Sequence, residues 1–197
     1  FYTVALELPG LTVSGERMSD RASAEQLKEA CQDAAVTIKK VECKEKSEKP
    51  PALYDLTTLQ RDANRLLGFT AQQTLDYLQS LYEKKLCTYP RTDSRYLTGD
   101  MADSLPVLVN LVVNAMPFCK EIAITCDPQT VINDKKVTDH HAVIPTRNLK
   151  DADLSALPAG EKAVLELVAL RLMCAVAQPH IYSETVVIAA CAGGEFT

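Results

Sequence analysis

Residues 57–97 decide the fold of this chain, and they read TTLQRDANRLLGFTAQQTLDYLQSLYEKKLCTYPRTDSRYL. The pattern predicts two helices in quick succession. A capping box at Thr57 begins the first, Gly68 ends it, and a second capping box at Thr70 begins the next. Helix, tight turn, helix and extended segment is the arrangement of a winged helix-turn-helix, so we predict a winged-helix-like domain here.

Both helices carry an apolar stripe at helical spacing, which predicts the faces that pack into the core. The stripes are Leu59, Ala63, Leu66 and Leu67 in the first helix and Leu75, Leu78, Leu81 and Tyr82 in the second. Two further helices are predicted, one that starts near Pro106 and ends at about residue 116, and one over residues 160–177.

Strand patterns lie on either side of this helical part, with alternating polarity or many β-branched side chains. The predicted strands cover residues 1–14, 35–45 and 182–191. Between the first two, a helix with a capping box at Ser23 is predicted over residues 23–30. The charged residues 44–51 are expected to form a linker.

We therefore predict an α+β multidomain fold. A mainly helical domain, residues 51–180, is inserted into a discontinuous β-rich domain made of residues 1–50 and 181–197. The chain starts at Phe1 rather than at a methionine and ends in a strand that runs into a turn, which favours an excised piece of a longer protein.

The tyrosine segment (residues 87–97) places a tyrosine and an arginine two positions apart. In extended backbone such residues project from one face, so Tyr89 and Arg91 can converge on one ligand. A phenol with a pKa near ~10 is a weak nucleophile, but a guanidinium favours its anion and binds phosphate through paired hydrogen bonds. Pro90 fixes the direction of the phenol. These parts suit attack on a phosphodiester, although a polar turn with a packed tyrosine explains the same spacing.

The histidine segment (residues 138–146) reads TDHHAVIPT. Its two histidines are adjacent, so in extended backbone they point to opposite faces and cannot both bind one metal. One of them could face a site, where an imidazole can donate a proton or a hydrogen bond to a phosphate. By itself the segment is more typical of two loop histidines beside a strand.

Together and in this order, the two segments resemble those of the type IA DNA topoisomerases, in particular the topoisomerase III branch. The tyrosine of that family lies in a Tyr-Pro-Arg-Thr/Ser-Asp sequence, matched at residues 89–93. Its histidine lies in an Asp-His-His-Ala-Ile-Ile-Pro-Thr sequence, matched at residues 139–146 with Val143 as a mild substitution. Residues 55–60 and 79–83 resemble the family as well.

The resemblance implies an ATP-independent enzyme that cleaves and rejoins single-stranded DNA and allows strand passage. Tyr89 matches the nucleophile, which holds the 5′ phosphate as a phosphotyrosine. Arg91 matches the arginine that orients the tyrosine and stabilises charge on the phosphate. His140 matches the histidine that contacts this phosphate.

The charge of the chain limits how it could bind DNA. A net charge of −5 over 197 residues is not typical of a protein that binds duplex DNA mainly by electrostatics. A cleft for a short single strand needs few phosphate contacts. The predicted DNA-binding residues are Arg61, Arg65 and Arg95, which lie near Tyr89 in the sequence.

The resemblance also implies a metal and a missing partner domain. In the family, the acidic residues that bind Mg²⁺ belong to a separate N-terminal domain, and we identify no acidic cluster of that kind in this sequence. We therefore expect no metal site in this chain, Mg²⁺ held by the absent domain, and no DNA cleavage by the 197 residues alone.

The seven cysteines include no CxxC pair and are odd in number, which predicts reduced, mostly buried thiols in an intracellular protein. They are Cys31, Cys43, Cys87, Cys119, Cys126, Cys174 and Cys191. There is no secretory leader and no long apolar span, so we expect no membrane partner and a cytoplasmic, nucleoid-associated protein.

Two other functions fit parts of the sequence. A non-enzymatic winged-helix module would bind duplex DNA and form no covalent adduct. A tyrosine nuclease of the relaxase type usually gathers several histidines around one metal, whereas this chain has one adjacent pair and the distant His180.

Overall fold

The computed structural model describes residues 1–116, 118 and 125–197 of the chain. They form two compact units. The first unit is discontinuous and comprises Phe1–Glu48 and Ile181–Thr197; the second is Lys49–His180.

The first unit begins with a hairpin of β1 (Ala5–Leu8) and β2 (Leu11–Ser14), which pair in antiparallel fashion. Gly10 lies in the turn with a φ of 79°, a left-handed conformation that glycine adopts without strain. The single strand predicted over residues 1–14 is therefore two strands.

The rest of the first unit is α1 (Arg21–Cys31) and a three-stranded sheet. The strand order of this sheet is β3 (Thr37–Glu48), β4 (His180–Cys191) and β5 (Gly194–Phe196), and β4 pairs with β5 in antiparallel fashion. The predicted linker over residues 44–51 is wrong in its first part, because β3 continues through it.

Helix α1 starts earlier than predicted because an aspartate caps it. The Asp20 carboxylate accepts hydrogen bonds from the backbone N–H of Ala22 at 3.3 Å and of Ser23 at 2.9 Å. Ser23 therefore lies inside the first turn, and the predicted capping box at Ser23 is wrong.

The second unit contains four α-helices in its described part, joined by short 3₁₀ turns and loops. Their bounds are α2 (Leu56–Leu67), α3 (Ala71–Glu83), α4 (Leu105–Ala115) and α5 (Ala159–Ala175). Pro106 lies in the first turn of α4, as predicted.

The capping boxes of α2 and α3 had different outcomes. The box at Thr70 is confirmed, with the Thr70 hydroxyl accepting from Gln73 N–H at 3.1 Å. The box at Thr57 is wrong, because Asp55 is the N-cap and its carboxylate accepts from Thr58 N–H at 2.6 Å. The predicted end of α2 at Gly68 is confirmed by its left-handed conformation.

The core of the second unit lies among the four helices and the loops between them. It includes half of the residues in the two predicted stripes, and residues of α5 join them. The buried stripe residues are Leu59, Ala63, Leu78 and Leu81, and those of α5 include Val164, Leu165, Val168 and Leu172. Leu66, Leu67 and Tyr82 were expected in the core but are exposed, by 54%, 36% and 40% respectively. One face of the last turn of α2 and the Tyr82 side of α3 therefore point away from the helical core, while Leu81 stays buried.

The cysteines are less buried than predicted. Cys87 and Cys191 are buried, Cys43 and Cys174 are exposed, and the other two described cysteines are half-buried. All six are free thiols, and Cys119 lies outside the described residues.

The α+β class is confirmed. Helices α2 and α3 and the extended tyrosine segment follow one another as the sequence predicted, while the winged-helix assignment stays a prediction. Within the described ranges, no helix combines the length and apolar character needed to cross a bilayer.

Candidate active site

The tyrosine segment and the histidine segment lie side by side in the second unit. The N–H of Thr88 donates to the Ile144 carbonyl oxygen at 3.0 Å, and the Ile144 N–H donates to the Thr88 hydroxyl at 3.0 Å. Cys87 and Pro145 form an antiparallel bridge next to this pair. Backbone pairing therefore fixes the register in which Tyr89 meets the histidines.

A buried threonine makes a second link between the two segments. Thr92 is 6% exposed, and its hydroxyl donates to the His140 carbonyl oxygen at 2.9 Å. The same hydroxyl accepts from the Ser94 N–H at 3.1 Å. Thr92, which lies three positions after Tyr89, thus holds the backbone of His140 close to the tyrosine segment.

The Tyr89 side chain is half-buried and contacts two other rings. Its centroid lies 4.2 Å from that of His140, with an interplanar angle of 36°. It lies 5.5 Å from that of Tyr82, edge to face at 83°. These contacts restrict the phenol to one side of the segment.

Arg91 and His140 line an open cleft of about 510 Å³. The other lining residues are Asp55, Leu56, Thr57, Thr92, Asp93, Thr138 and Asp139. Tyr89 adjoins this cleft through the contact of its ring with the tilted His140 ring. The exposed Arg91 donates from Nη1 to Oε1 of Gln79 at 3.4 Å, so Arg91 and Tyr89 both contact the C-terminal part of α3.

The two histidines have different neighbours. His140 is exposed in the cleft, whereas the half-buried His141 places Nδ1 2.9 Å from the Ala142 carbonyl oxygen. A protonated Nδ1 would donate to that carbonyl. The two imidazoles therefore have different surroundings, and only His140 lines the cleft.

The predicted DNA-binding arginines do not line this cleft. Arg61 is exposed on α2. Arg65 forms an ion pair with Asp62 at 3.2 Å, and the Nε of Arg95 donates to the Leu53 carbonyl oxygen at 3.1 Å. DNA contact by these three residues stays a prediction.

Burial disfavours the reactive form of the Cys87 thiol, two positions before Tyr89. Complete burial raises the pKa of Cys87 to about 12. Since the thiolate is the reactive form of cysteine, Cys87 offers no competing nucleophile near Tyr89 at neutral pH.

The described residues do not fit a magnesium site, because no three His, Cys, Asp or Glu side chains gather as metal ligands would. The sequence does hold one Asp-x-Asp pair, Asp151 and Asp153. Asp151 lies 3.6 Å from Nζ of Lys150, and Asp153 accepts from the Ser155 N–H at 3.0 Å. Both carboxylates therefore have local partners.

Sequence reasoning missed Gln79, Tyr82 and Thr92 as parts of the site. Gln79 and Tyr82 are three positions apart on α3 and so share a face, but their role depends on which segment packs there. The sequence indicated Thr92 only by its position within the tyrosine segment, and a threonine at that position is equally typical of a polar turn.

Comparison with known proteins identifies the family of this chain. A family model described as DNA topoisomerase matches residues 1–197. The DNA topoisomerase 3 of Shouchella clausii (strain KSM-K16) is 40% identical over 187 residues, covering 91% of this chain and 25% of that protein. The DNA topoisomerase 3 of Staphylococcus aureus (strain MRSA252) is 33% identical, covering 100% of this chain and 28% of that protein.

A solved structure shares the fold. Full-length topoisomerase I from Thermotoga maritima matches with a TM-score of 0.73 and 23% sequence identity, covering 98% of this chain and 32% of that chain. This chain thus spans about a quarter to a third of the length of these proteins. It belongs to the DNA topoisomerase family, which confirms the resemblance to the type IA enzymes and their topoisomerase III branch.

Proposed function

We propose that this chain is the part of a type IA topoisomerase that carries the nucleophile for cleaving and rejoining single-stranded DNA. One observation carries the proposal: the Tyr89 ring stacks on His140, 4.2 Å away, beside an open cleft that Arg91 and His140 line. A tyrosine, an arginine and a histidine that meet at one cleft supply a nucleophile and two groups that can hold a phosphate.

The proposed step is a transesterification. The Tyr89 phenol oxygen loses its proton and attacks a backbone phosphorus, the bond from phosphorus to the 3′ oxygen breaks, and that oxygen leaves as a 3′ hydroxyl. The 5′ phosphate stays on the tyrosine. Because one phosphate ester replaces another, the 3′ hydroxyl can reverse the step and reseal the strand without ATP.

Arg91 is proposed to bind the scissile phosphate. A guanidinium has five N–H donors, and the hydrogen bond to Gln79, at 3.4 Å, occupies only one of them. Arg91 is exposed in the cleft, so the remaining fork can reach two phosphate oxygens. His140 is proposed to donate a hydrogen bond to the same phosphate from the opposite segment.

Magnesium is proposed to bind to a different domain of the full-length protein, so no step is assigned to it here. The chain spans a quarter of the Shouchella clausii relative, which leaves ample length for such a domain. We also propose that α2, α3 and the tyrosine segment form a winged-helix module, and that the 197 residues alone do not cleave DNA.

A covalent-trapping assay tests the proposal. The full-length parent, its Tyr89→Phe variant and this chain alone are each incubated with Mg²⁺ and a single-stranded oligonucleotide labelled at its 3′ end. We expect a denaturant-stable adduct that carries the 3′ label only with the wild-type parent, because the downstream piece holds the new 5′ end.

Three other outcomes of the assay would contradict parts of the proposal. An adduct that keeps a 5′ label instead would reverse the proposed polarity. An adduct formed by Tyr89→Phe would assign the nucleophile to another residue. No adduct from a parent that relaxes DNA would reject the phosphotyrosine mechanism and favour the winged-helix binding module.

A further inference from the structure

The second unit contains a buried carboxylate that the proposed chemistry does not use. Glu161 is 7% exposed and lies in the first turn of α5. Its Oε1 accepts from the Ser80 hydroxyl at 2.9 Å, and its Oε2 pairs with Nζ of Lys84. A charged side chain is rarely this buried unless it is paired, so the arrangement calls for a structural or functional reason.

Both partners of Glu161 lie at the C-terminal end of α3. Ser80 is in its last turn and Lys84 is its C-cap residue. The two are four positions apart, so they present one face of the helix to α5. The carboxylate therefore ties the start of α5 to the end of α3.

Helices α3 and α5 also pack closely beside the Glu161 carboxylate. Gly160 precedes Glu161, and a Cβ built on Gly160 would lie 2.3 Å from the Tyr77 ring of α3. Such a distance is far below van der Waals contact, so only glycine lets the helices approach this closely here. The start of α5 therefore packs directly on the Tyr77 ring, three positions before Ser80.

The same two turns of α3 carry the contacts of the candidate site. Gln79 accepts from Arg91, and Tyr82 packs edge to face against Tyr89. Gln79 is next to Ser80 in the chain, and Tyr82 lies between Ser80 and Lys84. A rotation of these two turns of α3 would move both contacts together.

We propose that Glu161 is a positioning residue: it fixes the last two turns of α3 so that Gln79 and Tyr82 hold Arg91 and Tyr89 in place. The effect of Glu161 on the position of Tyr89 is inferred from these contacts alone. Its effect on cleavage rests on the function proposed for Tyr89.

The positional link is tested on the 197-residue chain by NMR of ring-labelled tyrosine. The Tyr89→Phe spectrum identifies the Tyr89 signal by its disappearance. Glu161→Gln keeps the size of the side chain and an acceptor for Ser80 but removes the charge that pairs with Lys84. We expect this variant to shift the Tyr89 signal, because the ring moves relative to its two aromatic neighbours.

The matched control is Glu166→Gln, on the same helix but facing a cavity lined by Met116 and Leu154. It should leave the Tyr89 signal unchanged. Ser80→Ala removes only one hydrogen bond and should shift the signal in the same direction by less, which keeps the test decisive if Glu161→Gln does not fold. An unchanged Tyr89 signal in the folded variant would overturn the proposal.

Single-turnover cleavage by the full-length parent tests the consequence. At saturating DNA and well below its melting temperature, Glu161→Gln should cleave about tenfold to a hundredfold more slowly, since small misplacement of reacting groups is costly. A purely structural role would lower the melting temperature and leave this rate unchanged. If Tyr89→Phe still forms adducts, the proposed function fails while the NMR result still stands.

Discussion

Strand β3 of the first unit and the helices of the second unit both carry ion pairs, but in opposite surroundings. Lys40, Lys44 and Glu42 pair along β3 with side chains that are 39–66% exposed. Asp62 and Arg171 pair between α2 and α5 with side chains that are only 17% and 20% exposed. Charge on β3 mainly keeps the strand hydrated, whereas charge between the helices fixes their relative position.

The Asp62 pair belongs to a network. Tyr54 donates from its hydroxyl to Asp62 at 2.8 Å and receives a hydrogen bond from Arg171 at 3.0 Å. The Arg171 guanidinium also lies 4.2 Å from the centroid of the Tyr54 ring. Burial raises the pKa of Asp62, but hydrogen bonds from Tyr54 and Arg65 and the charge of Arg171 outweigh it, so the pKa falls below its usual value.

Asp62→Asn should give the largest change in stability. It leaves Arg171 without its counter-charge, and we expect the free energy of unfolding to fall by about 2–4 kcal/mol, somewhat less than for a fully buried pair. Urea denaturation of the chain measures this. The control is Asp76→Asn on α3, an exposed carboxylate that accepts only from Gln72. Equal losses in both variants would contradict the contrast between the two kinds of charge.

Arg91→Lys tests whether Arg91 acts as a fork or, like the lysines of β3, as a point charge. Lysine keeps the charge but cannot form two parallel hydrogen bonds to a phosphate. We expect single-turnover cleavage by the full-length parent to slow by about tenfold to a hundredfold, or about 1.4–2.7 kcal/mol in the barrier. A wild-type rate would mean that charge alone suffices at this position.

Thr92→Val tests a neutral link that is as buried as the ionic ones. The methyl group fills the space of the hydroxyl but leaves the His140 carbonyl and the Ser94 N–H without their partner. The free energy of unfolding should fall by about 1–2 kcal/mol. Thr92→Ser, which keeps the hydroxyl, is the control; a loss of the same size there would point to packing of the methyl group instead.

The contrast also shows which features can be predicted from sequence. The capping box at Thr70 and the end of α2 at Gly68 were predictable because each depends on residues a few positions apart. The cap at Asp55 was missed because two neighbouring residues, Thr57 and Asp55, both suit an N-cap, and only the path of the preceding chain selects one.

Contacts between residues far apart in the chain could not be predicted in this way. The pairing of Asp62 with Arg171 joins residues 109 positions apart, and that of Ser80 with Glu161 joins residues 81 positions apart. Nothing local in the sequence selects these partners. The approach of the histidine segment to Tyr89 was expected only through the family resemblance, since adjacency of two histidines alone does not locate them.

Acid should weaken the Asp62 network at a defined pH. Because the folded-state pKa of Asp62 is lowered, its stabilising contribution is fully present above the unfolded pKa, near ~3.9, and is lost as the pH falls through the folded value. The difference in unfolding free energy between wild type and Asp62→Asn should therefore shrink below about pH 4. Circular dichroism melts from pH 7 to pH 3 measure it, and a constant difference would argue against an ionised Asp62.

Lys46→Gln should have the smallest effect. Lys46 pairs with Glu184 across β3 and β4 at 2.8 Å, and both side chains are more than two-fifths exposed. The hydrogen bond that Lys46 donates to Glu184 raises the pKa of Lys46, but water and salt screen an exposed pair, and holding two long side chains in one geometry costs entropy. We expect no measurable change in the urea midpoint of the chain. A clear loss that disappears in high salt would show that β3 depends on its surface charges after all, because only an electrostatic contribution responds to added salt in this way.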